Sequence, residues 1–497
     1  MHILIIAIGS AGDVHPFLGL GQSFAARGHR VSFAANPVFQ PLVERCGLRF
    51  LPVGTAEEYH AAMGNPALWN PRTSLPTLWQ VIASTLKPLY HTLVAEAGED
   101  TVMLGSLWAF SARLVQEKLG VPLVTAQVSP STILSAQVPP VHKRFTIPEG
   151  LPGGLKSAIL WLIERGVLDR ICGPELNALR KELGLAPASR IMGRWMHSPQ
   201  GVLGLFPEWF APPQSDWPAQ LAQTGFPLFD EAGFHSIDAG LEEFLAAGTP
   251  PVVFTPGSTM LEGQGFFRGA AKALRKLGRR GIFLTKDPAQ VPPLPEEILL
   301  RPYVPMSALL PRSAALVHHG GIGTTALAFA AGIPQLATPF AHDQFDNATR
   351  LERLGCGLRL DAPAEDAALS PAPPPTCPAC PASRRPQRPA WASSRPSSRR
   401  RRSGRSITGR RRTPVERGRR HLRGRASRAG AAARRRARPA DPGPVARHLH
   451  RGAGRDRGQC RGADHRRQPR RVQQPGHLGH QLLLGGRRHH RAADRLA

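Results

Sequence analysis

Twice in this chain, a short apolar run ends in a glycine-rich turn that opens a helix. The first apolar run, residues 3–8, leads into Gly9-Ser-Ala-Gly12, then into a helical period over about 16–27 and a second apolar run at 31–35. Strands that are apolar on both faces and alternate with helices are typical of a parallel sheet covered by helices on both sides. The N-terminal third therefore predicts a doubly wound α/β domain.

The same alternation restarts after a segment rich in Pro and Trp, residues 207–228, which we interpret as a connection between domains. A strand over 251–255 runs into the turn Pro256-Gly-Ser-Thr259 and an amphipathic helix. Further strands are expected at 281–284, 298–301, 315–318 and 335–338, and helices at 324–331 and 344–354. We predict two tandem Rossmann-like domains, residues 1–228 and 229–362, with a ligand cleft between them at the carboxyl ends of their strands.

The charge of the chain lies almost wholly in its last quarter. The net charge is +29, but residues 371–497 alone carry 35 Arg and no Lys against five acidic residues, and they lack Phe, Tyr, Met and Asn. The missing residues have A/T-rich codons, so we interpret residues 363–497 as a low-complexity Arg/Pro-rich tail, translated in a shifted frame. Plain disorder and a nucleic-acid-binding arm are the alternatives. Nucleic acid is not expected as a partner, because only Trp391 could stack on a base.

The remaining composition excludes several classes. Six scattered Cys do not make a disulfide scaffold, the N-terminus lacks the basic start of a signal peptide, and no apolar run approaches the roughly 20 residues of a membrane span. The sequence predicts a cytoplasmic protein. A peripheral contact with a membrane is left open.

The segment 317–325, Val-His-His-Gly-Gly-Ile-Gly-Thr-Thr, joins a predicted strand to a predicted helix. Glycines let the backbone approach a ligand, and a helix N-terminus offers free N–H groups and a positive dipole end, so this segment could hold a diphosphate. An ordinary strand–helix turn is the alternative. The residues that we expect at the donor are His319, Gly320, Gly321, Gly323, Thr324 and Thr325, joined by Asp343 and Gln344 after the next strand and by Ser258 and Thr259.

The N-terminal turn carries a second candidate group, Asp13. A hydroxyl is a weak nucleophile, and a carboxylate in a partly dry cleft can take its proton as it attacks, which is the role that the family resemblance given below implies for Asp13. His15 is the second choice for this general base. Helix capping is the alternative role for Asp13, and a capping or solvent-facing role is the alternative for His15.

Together these segments resemble glycosyltransferase family one, of the two-domain GT-B architecture, over about residues 1–360. The resemblance implies that Tyr303-Val304-Pro305 stacks the base of a dTDP- or UDP-linked sugar, that the His319–Gly320 run binds the phosphates, and that Asp343 and Gln344 bind sugar hydroxyls. It also implies that Asp13 is the general base. No Asp-x-Asp motif is present, so no metal and no resident cofactor is expected.

Within the family, four segments resemble the rhamnosyltransferases of rhamnolipid synthesis: residues 7–13, 105–108, 127–132 and 195–201. This implies inverting transfer of L-rhamnose from dTDP-L-rhamnose to a 3-(3-hydroxyalkanoyloxy)alkanoate, with Trp69, Trp79 and Trp108 near the apolar acceptor. Core packing is the alternative for Trp69, Trp79 and the apolar residues of the same helical period. A sterol or polyketide glucosyltransferase using UDP-glucose remains open. So does a non-catalytic nucleotide-sugar binder, since family members continue past residue 361 with helices that this sequence lacks.

Overall fold

The strands of the chain form two parallel sheets. The computed structural model describes residues 1–361 except 144–145, 258–259 and 261–262, and these residues belong to one compact unit. Ser258, Thr259 and the tail 363–497 therefore lie outside the described residues. Both sheets have a helix after nearly every strand, which confirms two Rossmann-like α/β domains of the doubly wound kind.

The first sheet has seven strands in the order β3-β2-β1-β4-β5-β6-β7, all parallel. Its strands are β1 His2–Ile6, β2 Arg30–Ala35, β3 Arg49–Pro52, β4 Thr101–Gly105, β5 Leu123–Gln127, β6 Val202–Gly204 and β7 Leu221–Gln223. The order reverses beside β1, so the turn after β1 lies at a crevice at the carboxyl edge of the sheet.

The second sheet has six strands in the order β10-β9-β8-β11-β12-β13, again all parallel. Its strands are β8 Val252–Thr255, β9 Gly281–Leu284, β10 Ile298–Arg301, β11 Ala315–His318, β12 Gln335–Ala337 and β13 Gly357–Arg359. The turns after β8, β11 and β12 therefore share one edge of this sheet.

Helices cover both sheets. Those of the first domain are α1 Ala11–Ala25, α2 Gln40–Arg45, α3 Ala56–Met63, α4 Ser74–Glu96, α5 Phe110–Leu119, α6 Gly153–Ile163 and α7 Asp169–Glu182. Those of the second are α8 Ala239–Ala246, α9 Gln264–Leu277, α10 Met306–Leu309, α11 Ile322–Ala331 and α12 Gln344–Arg353.

The core confirms that the central strands are buried on both faces. Leu4 and Ile6 of β1 pack in one cluster with α4 and α5, whereas Ile3 and Ile5 pack in another with α1 and β2. In the second sheet the two faces of β8 enter separate clusters in the same way. Each such large side chain, fully buried, contributes about 1.5–3 kcal/mol.

Two details differ from the sequence prediction. Helix α1 begins at Ala11 and not at Pro16, because Ser10 at the N-cap and Asp13 in the first turn pair to close the helix start upstream of the proline. Leu221–Gln223, inside the segment interpreted as a connection, pairs with β6 as the last strand of the first sheet. Three residues of mixed polarity carry no readable strand pattern.

In the part of the chain that the structure describes, no helix is both long and apolar enough to cross a membrane.

Candidate active site

The glycine turn after β11 is held by a buried histidine. The Gly320 N–H donates to Nδ1 of His318 (3.2 Å), and Nε2 of His318 lies 3.1 Å from Oε1 of Gln335, so that Nε2 is the protonated nitrogen. Burial lowers the pKa of His318 to about 3, which keeps the ring neutral. Gly320 has φ +84°, and a Cβ there would lie 3.0 Å from the backbone oxygen of Gln344. Only glycine fits this turn without strain.

His319, the next residue, has its ring between two glycines. A Cβ on Gly257 would lie 2.9 Å from the ring, and one on Gly321 would lie 2.3 Å from its Nε2. Nδ1 of His319 is buried and has no hydrogen-bond partner among the described residues. Burial lowers the pKa of His319 to about 4, so the ring is neutral at pH 7 and can offer one N–H to a ligand.

Helix α11 begins directly at this turn. Gly321 is its N-cap and provides no side-chain cap, so the first N–H groups of the helix stay open. Among the described residues, nothing lies within 4 Å of a Cβ position on Gly323. Thr324 is half-buried in the first turn, whereas the Thr325 hydroxyl is buried and donates to the Gly321 carbonyl at 2.9 Å. The geometry therefore leaves Gly323 and Thr324 accessible at the helix start and turns Thr325 inward.

Asp343 and Gln344 stand at the start of α12, after β12. Asn347 Nδ2 donates to Oδ2 of Asp343 (2.8 Å) and to the Gly320 carbonyl (3.0 Å), which ties the two turns together. Oε1 of Gln344 accepts from the N–H groups of Phe340 and Ala341, which fixes the orientation of this side chain. Burial raises the pKa of Asp343 to about 6, helped by the charge of Asp13 and opposed by Asn347.

In the first domain, Asp13 fills the turn after β1. Its Oδ2 accepts from the backbone N–H of Ser10 (2.8 Å) and from the Ser10 hydroxyl (3.0 Å). Gly9, at φ +136°, has no room for a Cβ, which would lie 2.4 Å from the same carboxylate oxygen. Burial raises the pKa of Asp13 above the ordinary carboxyl range, and the two bonds from Ser10 oppose that rise.

The charge of Asp13 acts on groups of both domains. It raises the pKa of Asp343 across the cleft, and it adds to the burial that raises the pKa of Tyr59 to about 12. The candidate base and the candidate sugar-binding carboxylate are therefore close enough to interact electrostatically.

His15, two residues after Asp13, faces a different partner. Its Nε2 lies 3.6 Å from a carboxylate oxygen of Glu231, and its ring makes an edge contact with Phe229 at 5.5 Å between centroids. Burial lowers the pKa of His15, while Glu231 opposes this. The structure thus places His15 against residues 229–231, which lie between β7 of the first sheet and α8 of the second domain.

Tyr303, predicted to stack on the base, contacts the same connection between β7 and α8. Its hydroxyl donates to the carbonyl of Asp230, and its ring lies 5.2 Å from that of His235, edge to face. Burial raises its pKa, with the charges of Glu231 and Asp230 adding to the effect. Val304 is 4% exposed and packs in the core, so its backbone is the part that remains near the site.

An apolar cavity of about 80 Å³ opens beside Gly9 in the first domain. Helices α3 and α4 supply most of its walls, and Asn36, Glu58, Tyr59, Thr77 and Thr85 supply its polar groups. Gly9 lines the cavity and also lies against the Asp13 carboxylate, so it is a neighbour of both the cavity and the candidate base.

The three predicted acceptor tryptophans have different places. Trp108 lines the cavity. Trp79 is 3% exposed in the core with its Nε1–H bonded to Glu175 (2.8 Å), which is the packing position that the alternative interpretation predicted. Trp69 contacts His342, at 5.7 Å between ring centroids, on the loop that carries Asp343. His342 has φ +54°, a strained conformation for a residue with a side chain.

Sequence reasoning missed Asn347, His318 and Glu231. Asn347 is four residues after Asp343 on one helix face, a spacing that could have indicated it. Glu231 meets His15, Arg45 and His235 at 3.3–3.6 Å only through the fold. Among the described residues, no three His, Cys, Asp or Glu side chains are grouped to hold a metal.

Both sheets, the cleft and the glycine turn define the two-domain GT-B class of glycosyltransferases. Residues 3–138 match the glycosyltransferase family 28 N-terminal domain, and residues 282–371 match the C-terminal domain described as erythromycin biosynthesis protein CIII-like. The chain is 33% identical over 382 residues to O-mycaminosyltylonolide 6-deoxyallosyltransferase of Streptomyces fradiae, covering 72% of this chain and 85% of that protein. The chain therefore belongs to this glycosyltransferase family and is an enzyme of the hexosyltransferase type.

Two further proteins show the breadth of the likeness. Sterol 3-beta-glucosyltransferase of Yarrowia lipolytica is 27% identical over 380 residues, which cover 72% of this chain but 25% of that protein. The structure of spinosyn rhamnosyltransferase SpnG complexed with thymidine diphosphate superimposes with a TM-score of 0.51 at 21% identity, covering 74% of this chain and 89% of that one. The likeness to the SpnG structure shows that the two proteins share a fold.

Proposed function

We propose that this protein transfers a 6-deoxyhexose, L-rhamnose from dTDP-L-rhamnose, with inversion to the hydroxyl of an apolar acceptor such as a 3-(3-hydroxyalkanoyloxy)alkanoate. Residues 1–228 bind the acceptor, and residues 229–362 bind the donor. The observation that supports the proposal is the position of Asp13, which lies against Gly9, a residue that lines the apolar cavity, and interacts electrostatically with Asp343.

The chemistry follows from these positions. Asp13 takes the proton of the acceptor hydroxyl while that oxygen attacks the anomeric carbon, and its raised pKa makes it a stronger base than an exposed carboxylate. The new C–O bond forms as the bond to the diphosphate breaks on the opposite face. The open N-terminus of α11 and the neutral His319 ring stabilise the charge on the departing dTDP.

Two relatives support the donor. The Streptomyces fradiae enzyme is named for transfer of a 6-deoxyallosyl group, and rhamnose is also a 6-deoxyhexose. The structure of SpnG is that of a rhamnosyltransferase with thymidine diphosphate. The acceptor assignment rests on the apolar walls of the cavity and on the resemblance to rhamnolipid enzymes.

The test is a matrix of two donors and two acceptors. The protein is incubated with dTDP-L-rhamnose or UDP-glucose, and with a hydroxyalkanoyloxyalkanoate or a sterol, and products are identified by mass spectrometry. We expect a mass gain of one rhamnosyl unit on the hydroxyalkanoyloxyalkanoate. Glucosylated sterol as the main product would overturn the proposal.

Glucosyl transfer to a sterol or polyketide acceptor is the second candidate, and the 27% identity to the Yarrowia lipolytica sterol 3-beta-glucosyltransferase favours it. A non-catalytic nucleotide-sugar binder is the third. It would bind dTDP in calorimetry yet give no product and no donor hydrolysis in any cell of the matrix.

A further inference from the structure

Helix α6 of the first domain buries a charged side chain and exposes large apolar ones. It carries the sequence GGLKSAILWLI, and the residue that it buries is its lysine, Lys156. Leu155, Trp161 and Leu162 are 48%, 52% and 60% exposed, and Val167 in the π-helical turn that follows is 48% exposed. Nine large apolar side chains are exposed among the described residues, and four of the nine lie within the thirteen residues 155–167. Large apolar side chains concentrated in one exposed segment in this way indicate an interaction site.

The orientation of α6 is fixed by its buried lysine. Nζ of Lys156 donates to the carbonyls of Gln137 (3.4 Å) and Glu149 (3.3 Å), which belong to the loop between β5 and α6. Rolling the helix to bury its leucines would remove these bonds and expose the loop carbonyls. The apolar side chains therefore face outward as part of the fold.

The exposed charges beside this patch are Arg165, Arg170 and Glu149, and Glu149 is paired with Arg353. The nearby acids are engaged: Glu164 is buried and pairs with Arg190 (3.0 Å), and Asp169 accepts from the backbone N–H groups of Arg190 and Ile191 at 2.9 Å besides contacting Arg165. The patch therefore presents leucine and tryptophan between two guanidinium groups.

We propose that Leu155, Trp161, Leu162, Val167, Arg165 and Arg170, named here the α6 surface, form a docking site for an anionic phospholipid bilayer. Tryptophan favours the bilayer interface, and Arg side chains beside an apolar helix face attract anionic headgroups. Helix α6 has 11 residues, too few to span the roughly 30 Å hydrocarbon core, so it lies in the plane of the interface. The proposal is independent of which sugar or acceptor the enzyme uses.

The first experiment is flotation of the full-length protein with vesicles of phosphatidylcholine and phosphatidylglycerol. The basic residues of 371–497 also attract anionic lipid, so flotation is done at 0.05 and at roughly 0.5 M salt, where charge attraction between exposed groups is screened. We expect Trp161→Glu/Leu162→Glu to lose about tenfold or more of the high-salt binding, because two large apolar side chains leave the interface. The matched control is Leu119→Glu/Leu277→Glu, which alters two exposed leucines elsewhere and should float like the wild type.

The second experiment locates the contact. Vesicles with brominated acyl chains quench tryptophans that enter the bilayer, and the conservative variant Trp161→Phe should still float while losing most of that quenching. Unchanged quenching in Trp161→Phe would place the contact elsewhere and overturn the proposal, as would equal flotation of the two double-glutamate variants. If the α6 surface instead binds a second copy of the chain, light scattering will show a dimer that Trp161→Glu/Leu162→Glu abolishes, without flotation.

Discussion

The two domains use the same strand–glycine–helix turn in opposite ways. In the first domain the N-terminus of α1 is already occupied: Asp13 accepts from Ser10 and fills the space beside Gly9. In the second domain the N-terminus of α11 has a glycine cap and no side-chain cap, and no described residue lies within 4 Å of a Cβ position on Gly323. One turn therefore supplies its own anion, and the other is left free to receive one.

This difference supports the proposed division of the transfer reaction between the two turns. A carboxylate inside a turn is held in place with its pKa raised, which suits a base but excludes a phosphate by charge repulsion. An open helix start with a neutral histidine beside it suits a diphosphate. Four sets of variants can break or sharpen this comparison.

The largest effect is expected at the occupied turn. Asp13→Asn keeps an oxygen that can accept from Ser10 but removes the base, so the rate of transfer should fall by about 10²- to 10⁴-fold. Affinity for dTDP, measured by calorimetry, should stay unchanged because the phosphate site is in the other domain. In the wild type, the rate should also fall as pH decreases through the raised pKa of Asp13. A variant that keeps its rate would remove Asp13 from the mechanism.

At the turn after β11, Gly320→Ala and Gly323→Ala distinguish two effects. The first variant strains the backbone of the turn, and the second places a methyl group in the proposed phosphate site. Gly320 has φ +84°, so alanine should cost about 1–2 kcal/mol of stability and weaken dTDP binding by about tenfold. Gly323 lies in the first turn of α11, so alanine should raise stability by up to about 1 kcal/mol. Its methyl group would nevertheless occupy the proposed phosphate space and weaken dTDP binding.

The stability of both variants is measured by thermal unfolding and their affinity for dTDP by titration. Gly28→Ala, at a left-handed glycine far from the turn, is the control. Normal dTDP affinity in Gly323→Ala would show that the diphosphate does not lie over this helix start.

The acceptor side is tested by filling its cavity. Val81 lines the cavity, and Val81→Phe should raise the KM for a long-chain acceptor several-fold while leaving dTDP affinity as it is. Trp79→Phe is the matched change in the core: it removes the bond to Glu175, costs about 1 kcal/mol, and should not change the KM. If Val81→Phe leaves the KM for a long-chain acceptor unchanged, the acceptor binds elsewhere.

The smallest effect is a pH-dependent gain of stability in Asp343→Asn. The folded pKa of Asp343 is raised to about 6, above the ordinary value of 3.8, so the folded state favours the protonated carboxyl. The wild type therefore loses stability as pH rises from about 4 to 6, and the variant lacks this loss. Melting temperatures should differ by a few degrees in favour of Asp343→Asn at pH 7.5 and converge near pH 4, while transfer activity falls. A constant difference across this range would contradict the raised pKa.

The sequence predicted the parts of this molecule that local pattern controls. Continuous apolar runs gave most of the buried strands, since burial on both faces requires them. Strands β3, β7 and β13 were missed because three or four residues of mixed polarity at a sheet edge show no period. His318 and His319 look alike in sequence, yet only the fold shows that His318 holds the turn and that Nδ1 of His319 has no hydrogen-bond partner among the described residues. Tyr303 bonding to Asp230 joins residues 73 positions apart, a relation that no local pattern contains.

The buried side-chain amide of Asn347 contacts both the proposed donor site and the first domain. Asn347 is completely buried: its N–H groups hold Gly320 and Asp343, and its oxygen accepts from the hydroxyl of Ser129 in the first domain at 3.1 Å. Moving the domains apart would exchange this hydrogen bond for one with water, a net loss of about 0.5–1.5 kcal/mol. By thermodynamic reciprocity, whatever steadies Asp343 also favours the closed form. If Asp343 holds the donor as proposed, donor binding and the closed arrangement of the domains stabilise each other through this one amide.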